Sequence, residues 1–232
     1  MRLSKKSIAG IIAALLAVAV VCGVAVWSVP VFRVSEVKVS GTKELSAEEV
    51  EEASGIHHGD NLVRVDVGEA ARDVAALPWV ASATVSRSFP SSVKVKLTEH
   101  TPVAFVKDDG KTRLIDDRGE DFAEGEPPVG AVEITGDTGT PDDSGEDADA
   151  LHTPEMEEAV AVLAALPDDL RGQVGTLDIE ERYSMRLHLR DNRTVYWGAD
   201  EDNANKARAM AAALQLEGTS FDVSNPELVG AR

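Results

Sequence analysis

Leu77-Pro78-Trp79-Val80-Ala81-Ser82-Ala83-Thr84-Val85-Ser86-Arg87-Ser88-Phe89-Pro90-Ser91-Ser92-Val93-Lys94-Val95-Lys96-Leu97-Thr98-Glu99 is the stretch that decides the fold. Ala83 and Val85 alternate with polar neighbours in its first half. Val93, Val95 and Leu97 alternate with Lys94, Lys96 and Thr98 in its second. That two-residue period belongs to strands with one dry face and one wet face. Pro90 to Ser92 supplies a turn between the two runs, and Pro78 marks where a preceding helix stops. The dry face of such a pair needs a cover.

The cover is written upstream. Val37 and Val39 form a short alternating run that Gly41 ends, a third strand. Ser46 and Glu49 have capping-box spacing, and Ala47, Val50 and Ala53 continue at helical intervals. Gly55 and Gly59 bracket a turn, after which Asp66 and Glu69 repeat the cap ahead of Val67, Ala70, Ala71, Val74 and Leu77. The order over residues 31–100 is therefore β-α-α-β-β, which predicts a three-stranded sheet with two helices on one face. Trp79, at the helix-to-strand junction, is expected to pack beneath that sheet.

Downstream, residues 101–229 predict a second, beta-rich domain with a mixed or antiparallel sheet and flanking helices. Strands are expected at 103–107, 113–116, 132–135, 176–179, 185–189, 194–197 and 219–223. Helices are expected from Thr153-Pro154 to Leu166 and from Asn203 to Leu216. Residues 136–150 are rich in Asp, Glu, Gly, Ser and Thr with almost no apolar side chains, so they read as an acidic flexible loop. The fold class is α+β.

From Ile8 to Val29 no residue is ionisable except the Cys22 thiol. Roughly 22 residues make a helix about 33 Å long, enough to cross a bilayer. A cleaved signal peptide has an apolar core of only about 7–15 residues, shorter than this run. Arg2, Lys5 and Lys6 place residues 1–7 in the cytoplasm as a short tail, 8–29 as the transmembrane helix and the bulk of the chain outside. Cys22 is the sole cysteine, so no internal disulfide forms.

Several fragments together resemble one family. Phe32 to Gly41, Gly59-Asp60-Asn61-Leu62 leading to Val65-Asp66, Leu77-Pro78-Trp79-Val80 with Ala83, Val85 and Arg87, and Phe89-Pro90 followed by Val93 to Glu99 and Pro102-Val103-Ala104 resemble the POTRA domain of the bacterial cell-division FtsQ/DivIB family. The layout after residue 101 is similar to that family's second domain. The resemblance implies a divisome scaffold in the cell membrane at the division septum, single-pass, which binds the extracytoplasmic parts of FtsB and FtsL. It further implies a link from early division components to septal peptidoglycan synthesis by FtsW and a transpeptidase.

A last strand at 219–223 could leave one rim of its sheet open to a partner strand, or could be protected by loops or charge. The resemblance points to the first case and to Thr219, Ser220, Phe221, Asp222 and Val223, with Lys206 on the preceding helix as an electrostatic contributor. It also implies a second surface, on the first domain, holding Val85 and Arg87.

Composition weighs against other classes. A net charge of -18, from 41 acidic and 23 basic residues, with no basic stripe, opposes a nucleic-acid partner. His57, His58, His100, His152 and His188 lack ligand spacing and read as solvated loop or surface residues. No nucleophile elbow, phosphate loop or zinc-protease motif is present, so neither an enzyme nor a cofactor, metal or small-molecule substrate is expected. The alternative reading is a POTRA-bearing transport or assembly factor of the cell envelope, although no tandem repeat or barrel pattern accompanies it.

Overall fold

The computed structural model describes residues 12, 14–20, 32–108, 110–138, 153–181 and 183–231. Within the expected span, residues 12 and 14–20 are helical. The rest of 8–29, the tail 1–7 and most of the expected acidic loop, from residue 139 on, lie outside the described residues. No helix among the described residues is long and apolar enough to cross a membrane. The chain divides into two compact units, Met1–Glu99 and His100–Arg232.

The first unit contains β1 (Glu36–Ser40), α1 (Ala47–Ala53), α2 (Val67–Ala75), β2 (Val80–Ser88) and β3 (Ser92–Glu99). Both helices start as their caps dictate. Ser46 and Glu49 exchange hydrogen bonds in a capping box, and the Asp66 carboxylate accepts from the backbone N–H groups of Gly68 and Glu69. The sheet order is β1-β3-β2, with β1 parallel and β2 antiparallel to β3. Val50, Leu62, Val74, Val85, Val93 and Val95 meet in one core. Trp79 is only half-buried and stands outside that core.

Two local devices close this unit. Gly41 has φ +100, and a Cβ there would lie 1.9 Å from the Leu97 carbonyl oxygen, so the chain can pass β3 only with no side chain. The Glu99 carboxylate accepts from the N–H groups of Lys43, Glu44 and Leu45 at 2.9, 2.9 and 3.0 Å, tying the end of β3 to the loop before α1.

The second unit contains β4 (Pro102–Asp108), β5 (Lys111–Asp116), β6 (Asp121–Glu124), β7 (Val132–Gly136), α3 (Pro154–Ala165), α4 (Asp168–Arg171), β8 (Val174–Glu181), β9 (Ser184–Leu189), β10 (Thr194–Gly198), α5 (Asn203–Ala213), β11 (Ser220–Asp222) and β12 (Gly230–Ala231). They build one nine-stranded mixed sheet in the order β12-β11-β10-β9-β8-β7-β4-β5-β6. The pairs β4/β7, β7/β8 and β10/β11 are parallel, and the rest are antiparallel.

The alternation on β8, β9 and β10 sends Leu177, Ile179, Met185, Leu187, Val195 and Trp197 into a core shared with Met156, Val160 and Leu163 of α3 and Met210 and Ala213 of α5. Trp197 is fully buried, and its indole N–H is satisfied by Asn203 Oδ1 at 3.0 Å, the first residue of α5. One sheet face is thereby sealed. The other carries ion pairs such as Arg186 with Glu180 and Lys107 with Glu133.

Three short elements escape a reading by periodicity: β6, α4 and β12. Two to four residues are too few to display a period, and each is fixed by a neighbour that is already ordered. One histidine also departs from expectation. His100 is not solvated, since its side chain is 9% exposed and its Nδ1 lies 2.8 Å from Oδ2 of the buried Asp116.

Candidate partner-binding edge

Ser220–Asp222 forms β11, parallel to β10 with Phe221 opposite Val195. Its side chains alternate. Phe221 and, just past the strand, Val223 are 1% and 0% exposed and belong to the core, whereas Thr219 and Asp222 face solvent. The Arg193 guanidinium stands 6.0 Å from the Phe221 ring centroid and donates to the Leu214 carbonyl, which fastens the end of α5 beside the strand. Asp222 Oδ1 accepts from Ser224 N and Oγ at 3.0 and 2.7 Å and so turns the chain sharply away.

That turn corrects the expectation of a free rim along 219–223. The chain folds back through Asn225 and Pro226, with the Leu228 N–H donating to the Asn225 carbonyl, and Gly230–Ala231 pairs antiparallel with β11. Phe221 faces Ala231 and Asp222 faces Gly230. β11 is thus an inner strand, and β12 is the last strand of the sheet at this end. The missed signal is Val229, a lone apolar residue that packs against the core and directs the segment onto the sheet.

Lys206 is also relocated. It is 3% exposed, and its ammonium donates to the Ala199 carbonyl at 2.9 Å, so it braces the loop between β10 and α5 from inside and offers no surface charge to a partner. Burial pushes this ammonium below its ordinary value of 10.5, against the attraction of Glu201, Asp200, Asp202 and Asp222. Over the N-terminal part of α5, Asp202, Asn205, Arg208 and Ala209 face Pro226 and Glu227 across an open cleft of about 380 Å³.

In the first unit, β2 is an edge strand. Val85 is 7% exposed and opposes Val95, so it serves the core. Arg87 is exposed, yet its guanidinium donates to the carbonyls of Leu62 and Val65 at 3.0 and 2.6 Å, clamping the loop before α2 to β2. The two clusters of expected residues belong to separate units.

A three-stranded β-α-α-β-β unit followed in the chain by a unit with a nine-stranded mixed sheet has counterparts among known proteins. The FtsQ-type POTRA domain family matches residues 32–100, and the C-terminal domain of cell division protein FtsQ/DivIB matches residues 104–225. The chain belongs to the FtsQ/DivIB family. It is 32% identical over 233 residues to the cell division protein FtsQ of Corynebacterium glutamicum, covering 99% of this chain and 100% of that one. To the FtsQ of Mycolicibacterium smegmatis it is 37% identical over 214 residues, covering 90% of this chain but 60% of the other. A solved structure of the major extracytoplasmic domain of DivIB from Geobacillus stearothermophilus aligns with a TM-score of 0.35 at 20% identity, over 51% of this chain and 96% of that one. The family assignment carries with it a role in cell division.

Proposed function

We propose that this chain is a membrane-anchored scaffold of the divisome, held by residues 8–29 with residues 1–7 in the cytoplasm, domains 31–100 and 101–229 outside, and located at the division septum. It binds the extracytoplasmic parts of FtsB and FtsL and so links early division components to septal peptidoglycan synthesis by FtsW and a transpeptidase. No bond is made or broken; the product is a bound state. What supports this reading is the FtsQ/DivIB family membership together with a two-residue outer strand, β12, at one end of a nine-stranded sheet. A partner strand adds to the far side of β12, where main-chain groups supply affinity and the neighbouring Leu228, 77% exposed, supplies apolar contact. Thr219, Ser220 and Asp222 lie one strand further in, at β11, while Phe221 and Val223 anchor that strand to the core beneath the rim. The POTRA edge strand β2 with Val85 and Arg87 is the second proposed surface, for recruitment to the division machinery.

The test uses Gly230→Pro and Ala231→Pro. Successive residues of a strand turn their N–H groups to opposite sides, so one substitution removes an outward donor and the other a donor toward β11. We expect at least one variant to lose capture of co-expressed FtsB and FtsL while melting like the wild type. Full capture by both variants would refute docking at this edge.

A further inference from the structure

We propose that His100, Asp116 and Glu120, at the start of the second unit, form a binding site for a divalent transition-metal ion, with zinc the best match. This site is separate from the proposed docking edge: β5, on which Asp116 lies, is next to the opposite end of the sheet. One ligating atom from each of the three side chains lies within 4.8 Å of the others.

The groups are set in place by the fold. Asp116 ends β5 and is fully buried. Its Oδ1 accepts from the backbone N–H groups of Arg118 and Glu120 at 2.8 and 2.9 Å, and its own N–H donates to the Glu120 carbonyl at 3.0 Å, so the turn holds Glu120 over it. Its Oδ2 lies 2.8 Å from His100 Nδ1. The imidazole is stacked on Phe122 of β6, centroids 4.7 Å apart and planes within 11°, which fixes the direction of its nitrogens. The Glu120 carboxylate has no hydrogen bond or ion pair among the described residues.

Two carboxylates this close, one of them buried, repel each other, and among the described residues the one permanent cation paired with Asp116 is the Arg118 guanidinium, 3.5 Å from its Oδ2 on a side chain 57% exposed. That long, half-exposed side chain can swing into solvent and yield its place. A dication between the three groups removes the repulsion. One imidazole nitrogen with two carboxylates suits zinc, which takes three protein ligands and a water, whereas calcium and magnesium prefer oxygen-only shells of six or more. Tetrahedral ligands around zinc stand about 3.4 Å apart, so His100 and Asp116 need to separate by only about half an ångström.

The experiment titrates zinc chloride into the untagged full chain in detergent by calorimetry, with cobalt substitution read by its visible absorption. The wild type is expected to bind one ion and to give the absorption of a tetrahedral cobalt site. Glu120→Gln, whose side chain leaves no hydrogen bond behind, and His100→Gln are each expected to weaken binding about tenfold or more. A His57→Ala, His58→Ala double variant is expected to bind as the wild type does. Absence of binding at about 100 μM metal, or binding that neither Glu120→Gln nor His100→Gln weakens, would overturn the site.

Discussion

Glu99→Gln would measure what holds the first unit closed. The carboxylate is 8% exposed, and three backbone donors converge on it: Lys43 and Leu45 on Oε1, Glu44 on Oε2. Burial pushes this carboxyl up, but the N–H groups of Glu44, Lys43 and Leu45, with the Lys43 charge, outweigh it and hold the group below its ordinary 4.5. Glutamine keeps one oxygen, which serves best at the Oε1 position where two donors meet. Its amide NH2 then faces the Glu44 N–H, donor against donor. One charge-assisted hydrogen bond is lost and a buried N–H is left unsatisfied, together about 1.5–3 kcal/mol. For a unit of this size that is a fall in melting temperature of roughly 6–24 °C.

The pH dependence has a definite sign. A carboxyl whose folded value is depressed contributes stability that is fully present above its unfolded value of 4.5. That contribution is lost as pH falls through the lower folded value. The gap between wild type and Glu99→Gln is therefore expected to be constant from pH 7 to about pH 5 and to narrow below 4.5. Calorimetric melting of both proteins across pH 7 to 3 reads the two quantities at once. A gap under about 0.5 kcal/mol at pH 7, or one unchanged down to pH 3, would refute the assignment of Glu99 as an ionised clamp.

Gly41→Ala places a methyl 1.9 Å from the Leu97 carbonyl oxygen at φ +100, and left-handed strain plus a backbone clash should cost about 2–6 kcal/mol, visible as loss of the first unit's transition in the same calorimetry. Lys206→Met keeps the apolar stem and removes the buried ammonium. Since burial depresses the wild-type lysine, the wild type should gain stability as pH rises from that depressed value toward 10.5, and the variant should lack this gain in urea midpoints taken at pH 7 and pH 10.

The first unit was legible in the sequence because its signals are redundant. The capping pairs Ser46/Glu49 and Asp66/Glu69 bound the helices, and Val93, Val95 and Leu97 leave no choice of face. The central strands of the second unit were legible for the same reason, with Met185, Leu187 and Leu189 alternating against polar residues. The rim was not. Gly230–Ala231 has no pattern of its own, and its pairing follows from the tight reversal that Asp222 and Asn225 impose after β11. Lys206 misled for a related reason: lysine is rarely buried, and only the position of the Ala199 carbonyl reveals why this one is. The His100 to Asp116 contact joins residues 16 apart through a hairpin, a distance over which sequence spacing carries no ligand signal.

The two ends of the nine-stranded sheet are not equivalent, and the difference favours one as the docking rim. β6 at one end carries Asp121 and Glu124, paired to Arg113 and Lys111 of β5, so an incoming strand would meet charges that are already committed. Charged side chains along an edge are a common guard against strand addition. β12 at the other end offers Gly230 and Ala231, preceded by Leu228 and Val229, with no ionisable side chain among the four. Gly230 brings no side chain to obstruct main-chain pairing. Ion pairs at one rim and their absence from β12 are the reason the proposed docking is assigned to β12. The same asymmetry predicts that a charge placed at this rim, as in Ala231→Asp, impairs partner capture more than a charge reversal on β6 such as Glu124→Lys.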